Sequence, residues 1–155
     1  MTIDRLDAAI LQLFSAEPRI GVLEAARRVG AARGTVQARL DRLQRIGVIA
    51  DLATTVDPAA LGYPVTAFLS LEIAQGRGRR EVTGHLAAIA EVIEVHTITG
   101  SADLLVRLVS RSNADLQRVI DDVVRDPIVL RASTVIALDT PVPRRTGPLI
   151  RAIVQ

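Results

Sequence analysis

The chain has no cysteine, which removes disulfides, thiolate zinc sites and cysteine nucleophiles together. It has no lysine either. All 19 basic residues are arginine, a side chain that keeps its charge at every working pH and grips phosphate in a bidentate way. No apolar run approaches the roughly 18–20 residues that span a bilayer. The start, MTIDRLDAAILQLF, carries an acid at position 4 and lacks a signal-peptide layout. These absences predict a soluble cytoplasmic protein without membrane contact. The two histidines, His85 and His96, are 11 apart in sequence, and neither has a second His at metal-ligand spacing. Glu94, two before His96, would suit a site on a strand, but a two-ligand site is the weaker reading, and no metal is expected. Nor does a Ser/His/Asp set, phosphate loop or dinucleotide fingerprint occur, and GRG at 76–78 is too short for a nucleotide loop. The sequence therefore predicts neither an enzyme nor a cofactor.

What is present is enough for a core: 155 residues with 49% hydrophobic content suit one mid-sized domain or two small ones. The net charge of +2 hides a pattern. Residues 1–50 carry 8 arginines against 5 acids, residues 51–139 carry 8 against 12, and the last 16 carry 3 against none. A basic front, an acidic middle and a basic end predict two jobs in one chain.

In the front third, Ile3, Leu6, Ile10 and Leu13 fall on one helical face, with Asp4 and Asp7 in the first turn where a helix favours negative charge. Glu17-Pro18-Arg19 ends this helix. Val22, Ala25, Ala26 and Val29 predict a short second helix that stops at Gly30. In a third helix starting near Arg33, the spacing of Val36, Leu40 and Leu43 turns them inward and leaves Arg33, Gln37, Arg42 and Arg45 outside. Two helices joined by a short Gly-containing turn form the helix-turn-helix signature, whose second helix enters the DNA major groove by its N-terminal residues. Residues 27–45 hold six arginines and one acid, and neutralising phosphates releases counterions. The competing reading is a solvated charged helix in an ordinary three-helix cluster. The segment GVIADLATTVD that follows predicts a strand, the place for a small wing or, with a linker at 51–63, for a link to the next domain.

From Pro64 the period changes. Strands are predicted at 65–73, 92–100, 103–110 and 128–139, and helices at 81–90 and 113–124, with GRGRR as a charged loop. The order βαββαβ is the ferredoxin-like arrangement, four antiparallel strands with both helices on one face. The fold class is α+β. Leu69, Leu71 and Ile73, or their alternates, cannot all be buried by one helical layer, so the bare sheet face predicts a homodimer. Between the two central strands lies TGSAD, where Gly100 permits a close backbone approach and Ser101 and Asp103 offer a hydroxyl and a carboxylate. Such a turn suits a small zwitterion, or is only a hairpin.

The combined pattern resembles the Lrp/AsnC, or feast/famine, family of transcriptional regulators. The resemblance rests on LDAAILQLF, on the run TVxxRLxRLxxxGVI from Thr35 to Ile49, on ALG at 60–62 and on TGSADLLVRLV from 99 to 109. It implies a helix-turn-helix domain at 1–50, a linker at 51–63, a ferredoxin-like effector and oligomerisation domain at 64–140, and a tail at 141–155. It implies double-stranded DNA and a small effector, typically an amino acid, as partners, and a homodimer that assembles further, often to an octamer. Thr35, Arg39 and Arg42 match the recognition-helix pattern. With Arg28, Arg33, Gly34, Gln37 and Ala38 they complete the candidate DNA-binding set, Arg33 and Gln37 for base edges and Arg42 for phosphate. Gly100 and Asp103 match the effector turn, with Ser101 between them, and Thr134 matches a hydroxyl position on the last strand.

Three departures stand out. Ala32 occupies the cap position that relatives fill with Ser, at a cost of roughly 1 kcal/mol, and Gly34 weakens the helix start. Ala132 stands where many relatives have a second Thr, which keeps open an alternative, a ligand-independent architectural DNA-binding oligomer. The tail PVPRRTGPLIRAIVQ reads as a solvated basic end or as a clasp on a neighbouring subunit.

Overall fold

A computed structural model describes residues 3–50, 55–74 and 78–153. The chain forms two units: residues 1–54 with 141–155, and residues 55–140.

The first unit contains α1 (Arg5–Ala16), α2 (Val22–Val29), α3 (Arg33–Arg45) and α6 (Gly147–Ile153). Asp4 caps α1: its Oδ1 accepts the Asp7 N–H at 2.8 Å while the Asp7 carboxylate accepts the Asp4 N–H at 3.2 Å, a reciprocal pair that satisfies two orphan amides. At the end of α2, Gly30 adopts φ 67° and its N–H closes on Ala26 and Arg27 carbonyls, a left-handed cap that glycine takes without Cβ strain. Ile10, Ala25, Ala26, Val36 and Leu40 form one core cluster and Ala8, Leu11, Leu43 and Ile150 another. The spacing of Val36, Leu40 and Leu43 thus does what its period predicts.

The tail keeps Arg144 and Arg145 exposed but does more than end in solvent: it returns to this unit, and Ile150 of α6 is 8% exposed against α1 and α3. The strand expected after α3 has no described counterpart. Residues 46–49 are turn and bend, 51–54 lie outside the described residues, and the stretch from 55 to 63 holds only a 3-10 turn at Ala59–Leu61. Pro58 starts that turn and Gly62, at φ 90°, ends it.

The second unit runs β1 (Val65–Ile73), α4 (Gly78–Ala88), β2 (Val92–Thr97), β3 (Leu104–Ser110), α5 (Asn113–Val124) and β4 (Val129–Ala137). Its antiparallel sheet has the order β2-β3-β1-β4. Residues 75–77 of the charged loop before α4 lie outside the described residues. Alternation decides the faces. Leu69, Leu71, Leu104, Val106 and Leu108 join Val82 and Leu86 of α4 and Leu116, Val119 and Val123 of α5 in one buried cluster, so both helices cover the same side. The other side carries Phe68, Ser70 and Glu72 of β1, Leu105 and Arg107 of β3, and Ser133 and Val135 of β4, paired across the ladder. Among the described residues no helix is long and apolar enough to cross a membrane.

Candidate DNA-binding helix and effector turn

Three residues, Gly30 to Ala32, separate α2 from α3. Ala32 has extended backbone and supplies no side-chain hydrogen bond to the helix it starts, so the first amides of α3 point outward unsatisfied. Arg33, Gly34, Thr35, Gln37 and Ala38 are all exposed. Gln37 Nε2 donates to Asp41 Oδ1 at 2.7 Å, which fixes its carboxamide along the helix surface. A Cβ on Gly34 would meet nothing within 4 Å, so glycine here is not demanded by the protein's own packing.

The arginines divide into two populations. Arg39 Nη1 donates to Asp7 Oδ1 at 3.1 Å and also to Asp4, and Arg42 Nη1 donates to Asp7 Oδ2 at 2.9 Å. Asp7 is fully buried. A buried carboxylate needs such partners, because an uncompensated one would be expelled or neutralised. The pairing holds the Arg39 guanidinium above its ordinary pKa, chiefly through Asp4 and then Asp7, and the Asp4 carboxyl below its own, chiefly through the Asp7 N–H and then Arg39. Arg42, expected on the wet outer flank as a phosphate ligand, is thus tied to α1: the same helical spacing that turns it from the core turns it toward the first turn of the neighbouring helix. Arg28 donates to Glu17 at 2.5 Å and to Glu24 at 3.1 Å. Arg27 is 3.8 Å from Glu24. Of the six arginines in 27–45, Arg33 and Arg45 are the two with no ion pair among the described residues.

In the second unit, Gly100 has φ 118°, a conformation glycine adopts freely and other residues resist. The Asp103 carboxylate Oδ2 accepts the Ile73 N–H at 2.9 Å. Its own N–H donates to the Leu71 carbonyl, and its carbonyl accepts from Ile98, both at 2.9 Å. These bonds weld the turn to the end of β1, where the β1–β4 register slips between Glu72 and Ile73. Ser101 is exposed and Asp103 half-buried. Thr134 pairs with Leu69, whereas the turn lies beyond the Leu71–Leu104 level. At about 3.3 Å per residue and 4.8 Å per strand the two are roughly 14 Å apart. One subunit does not bring Thr134 to the Gly100–Asp103 turn. Neither of two surface clefts, one beside Pro18 and one of about 280 Å³ lined by Val56, Leu61, Tyr63 and Ile93, includes any of these four residues. Sequence reasoning missed the Asp7 anchor. Its one signal was an acid at the third position of α1, which was read only as a complement to the helix dipole.

Comparison with known proteins agrees with this architecture over most of the chain. The profile of the AsnC-type helix-turn-helix domain matches residues 3–44 and that of the Lrp/AsnC ligand binding domain matches residues 66–147. The HTH-type transcriptional regulator FL11 of Pyrococcus horikoshii is 29% identical over 138 residues, 89% of this chain and 91% of its own. The solved structure of Escherichia coli AsnC superposes with a TM-score of 0.87 at 26% identity, covering 96% of this chain and 100% of the other. A transcriptional regulator of Neisseria meningitidis, solved as a complex with L-Met, shares the fold with a TM-score of 0.83 at 22% identity over 94% of this chain and 96% of its own.

Proposed function

The chain belongs to the Lrp/AsnC family of transcriptional regulators, and on that premise we propose that it reads operator DNA with the first two turns of α3 and answers to a small amino-acid-like effector. It is a DNA-binding regulator and not an enzyme, as are the relatives it matches. The observation that carries the reading is the division of α3: an aliphatic stripe is buried, Arg39 and Arg42 are spent on Asp7, and Arg33, Gly34, Thr35, Gln37 and Ala38 are left bare at the uncapped end. Arg33 and Gln37 suit base edges in the major groove, Thr35 and the free amides suit phosphate, and Gly34 lets the backbone approach. Arg39 and Arg42 tie α3 to α1 and Arg28 ties α2 to Glu17, so all three hold the unit together first and touch phosphate second.

The bare sheet face supports assembly through a second copy. It presents Phe68, Leu105 and Val135, and it holds Arg107, whose Nε is buried without a hydrogen-bond partner among the described residues. A buried donor left unsatisfied costs about 1–3 kcal/mol, which an acceptor from a partner subunit would recover. If Thr134 joins Gly100, Ser101 and Asp103 in one site, it comes from another copy, as in a higher assembly such as an octamer, because a single subunit holds them apart. Asp103 keeps one oxygen for an ammonium, and the turn's amides face a carboxylate. An amino acid as the effector class is supported by the L-Met complex of the N. meningitidis regulator. Ala132 and the separation of Thr134 from the turn favour a second reading, an architectural oligomer without effector.

Selection of bound fragments from genomic DNA, with and without each amino acid, tests both. An enriched motif whose occupancy changes with one amino acid supports the reading. An enriched motif indifferent to all of them supports the architectural one, and no enrichment refutes both. Thermal melting gives the independent check, since an effector at about 100 times its Kd adds roughly 2.7 kcal/mol to the folded state.

A further inference from the structure

We propose that the C-terminal arm, residues 141–153, is a second DNA-contacting element of the helix-turn-helix unit, with Arg144, Arg145 and Arg151 neutralising phosphates of the duplex that α3 reads. The inference rests on the DNA-binding reading above and extends it to residues outside the helix-turn-helix.

Four observations converge on the arm. It is anchored on the reading head, since Ile150 packs against Ala8 and Leu11 of α1 and Leu43 of α3, and the Leu149 and Ile150 amides donate to the Thr146 carbonyl at 3.0 and 3.2 Å. It is wholly basic in charge, for residues 140–155 contain three arginines and no acid. Its docking raises the unit from 8 arginines against 6 acids to 11 against 6, a change from +2 to +5, while residues 55–140 stand at 8 against 11. Lastly, Pro141, Pro143 and Pro148 stiffen the segment that presents the exposed Arg144 and Arg145, so less chain entropy is lost when those side chains are held.

Charge availability decides the matter. In the first unit the arginines without an ion pair among the described residues are Arg5, Arg19, Arg33, Arg45, Arg144, Arg145 and Arg151. Three of those seven belong to the arm. A protein that spends Arg28, Arg39 and Arg42 on its own carboxylates has to draw its phosphate neutralisation from elsewhere, and the arm is the densest remaining supply.

The test is the salt dependence of binding by the full chain, on a duplex carrying a selected motif and on one of random sequence. Each phosphate neutralised contributes about 0.9 to the slope of log Kobs against log salt. Arg144→Gln with Arg145→Gln should therefore flatten the slope by about 1.8 per bound subunit on both duplexes, without changing the ratio between them. Both side chains are exposed, and an unchanged melting temperature verifies the fold. An unchanged slope overturns the proposal. So does an unchanged slope with altered mass in sedimentation, which would make the arm a clasp between subunits. Arg33→Ala, run alongside, separates the two ideas: it should collapse the motif-to-random ratio and leave most of the slope. If Arg33→Ala keeps the ratio while the arm variant loses slope, the reading of α3 fails and the arm stands. A wild type that binds neither duplex overturns both.

Discussion

Replacing Asp7 by Asn is the sharpest perturbation the first unit offers, because it removes one charge and almost no volume. The Asp7 carboxylate is 0% exposed, and it accepts from the Asp4 amide, from Arg39 and from Arg42. An Asn carboxamide can keep one of these bonds, but its NH2 group must then face another donor. Breaking a buried ion pair by removing one partner costs about 3–5 kcal/mol. Here the stranded guanidinium groups are 31% and 36% exposed, so they rehydrate in part, while the weakened capping box adds roughly 1 kcal/mol back. The expected loss is about 2–4 kcal/mol. At about 4–8 °C per kcal/mol for a unit of this size, the first unit's melting transition should fall by roughly 8–32 °C.

Calorimetry or far-ultraviolet circular dichroism reads the transition, with Asp4→Asn as the control. Asp4 is half exposed and Asn caps a helix about as well as Asp, so its variant should lose only the solvent-screened Arg39 pair, about 0–1 kcal/mol. Asp7→Asn should also act on DNA in a way that instability alone does not. With the carboxylate neutral, Arg39 and Arg42 hold α3 to α1 less firmly, so preference for the selected motif falls. If Asp7→Asn melts within about 0.5 kcal/mol of the wild type, the ordinary range for a surface substitution, then Asp7 does not anchor α3. The partition of arginines drawn above would go with it.

Gly34→Ala should stabilise the first unit by about 0.5–1 kcal/mol, since a Cβ there meets nothing and alanine is the better helix former; the same methyl should weaken motif binding, measured by titration, and unchanged binding would remove Gly34 from the interface. Acid should destabilise both units. Asp4 is held below its ordinary pKa chiefly by the Asp7 amide and then Arg39, and Asp115 chiefly by Arg118 and then the Arg111 amide. A depressed carboxyl contributes stability above its unfolded value near 3.9 and loses it as pH falls through the folded value, so urea midpoints should hold from pH 7 to about 5 and drop below about 4, less steeply in Asp4→Asn and Asp115→Asn. Gly100→Ala should cost at least about 1 kcal/mol in the second unit, because φ 118° is denied to alanine, and a neutral result in urea unfolding would contradict the assigned turn. Arg107→Ala should dissociate the assembly in sedimentation; a variant that keeps its mass would disqualify the bare sheet face as the subunit contact.

The elements that local chemistry dictates were legible in the sequence. The Val36, Leu40 and Leu43 spacing, the Gly30 stop and the βαββαβ order all appear where period and punctuation put them, because each depends on residues within a few positions of one another. What escaped depends on separation. The Asp7 pairs with Arg39 and Arg42 join residues 32 and 35 positions apart, and no helical period announces a partner on another helix. Helix α6 escaped for a different reason: seven residues are too few for a period, and only Ile150 of GPLIRAI is buried. Its Pro148, at the second helical position, was the available signal. The effector set was legible as a turn and a hydroxyl but not as a site, since β-sheet register sets Thr134 apart from Gly100 within one copy.

The pairing of arginines also changes what net charge means for this chain. Residues 27–45 count as +5 in the sequence, yet four of the six arginines face carboxylates from Asp4, Asp7, Glu17 or Glu24. All four of those acids lie outside the counted window and so never entered the sum. The charge still available to phosphate near α3 is therefore small, and affinity has to be gathered from several weakly charged places rather than from one strongly charged helix. Such an arrangement favours discrimination. When non-specific attraction is modest, the few base-facing contacts of Arg33 and Gln37, worth about 1–3 kcal/mol each, form a larger share of the total. A regulator built this way needs additional phosphate contacts or additional subunits to hold its operator, which is the physical reason that the arm and the bare sheet face matter to the same function.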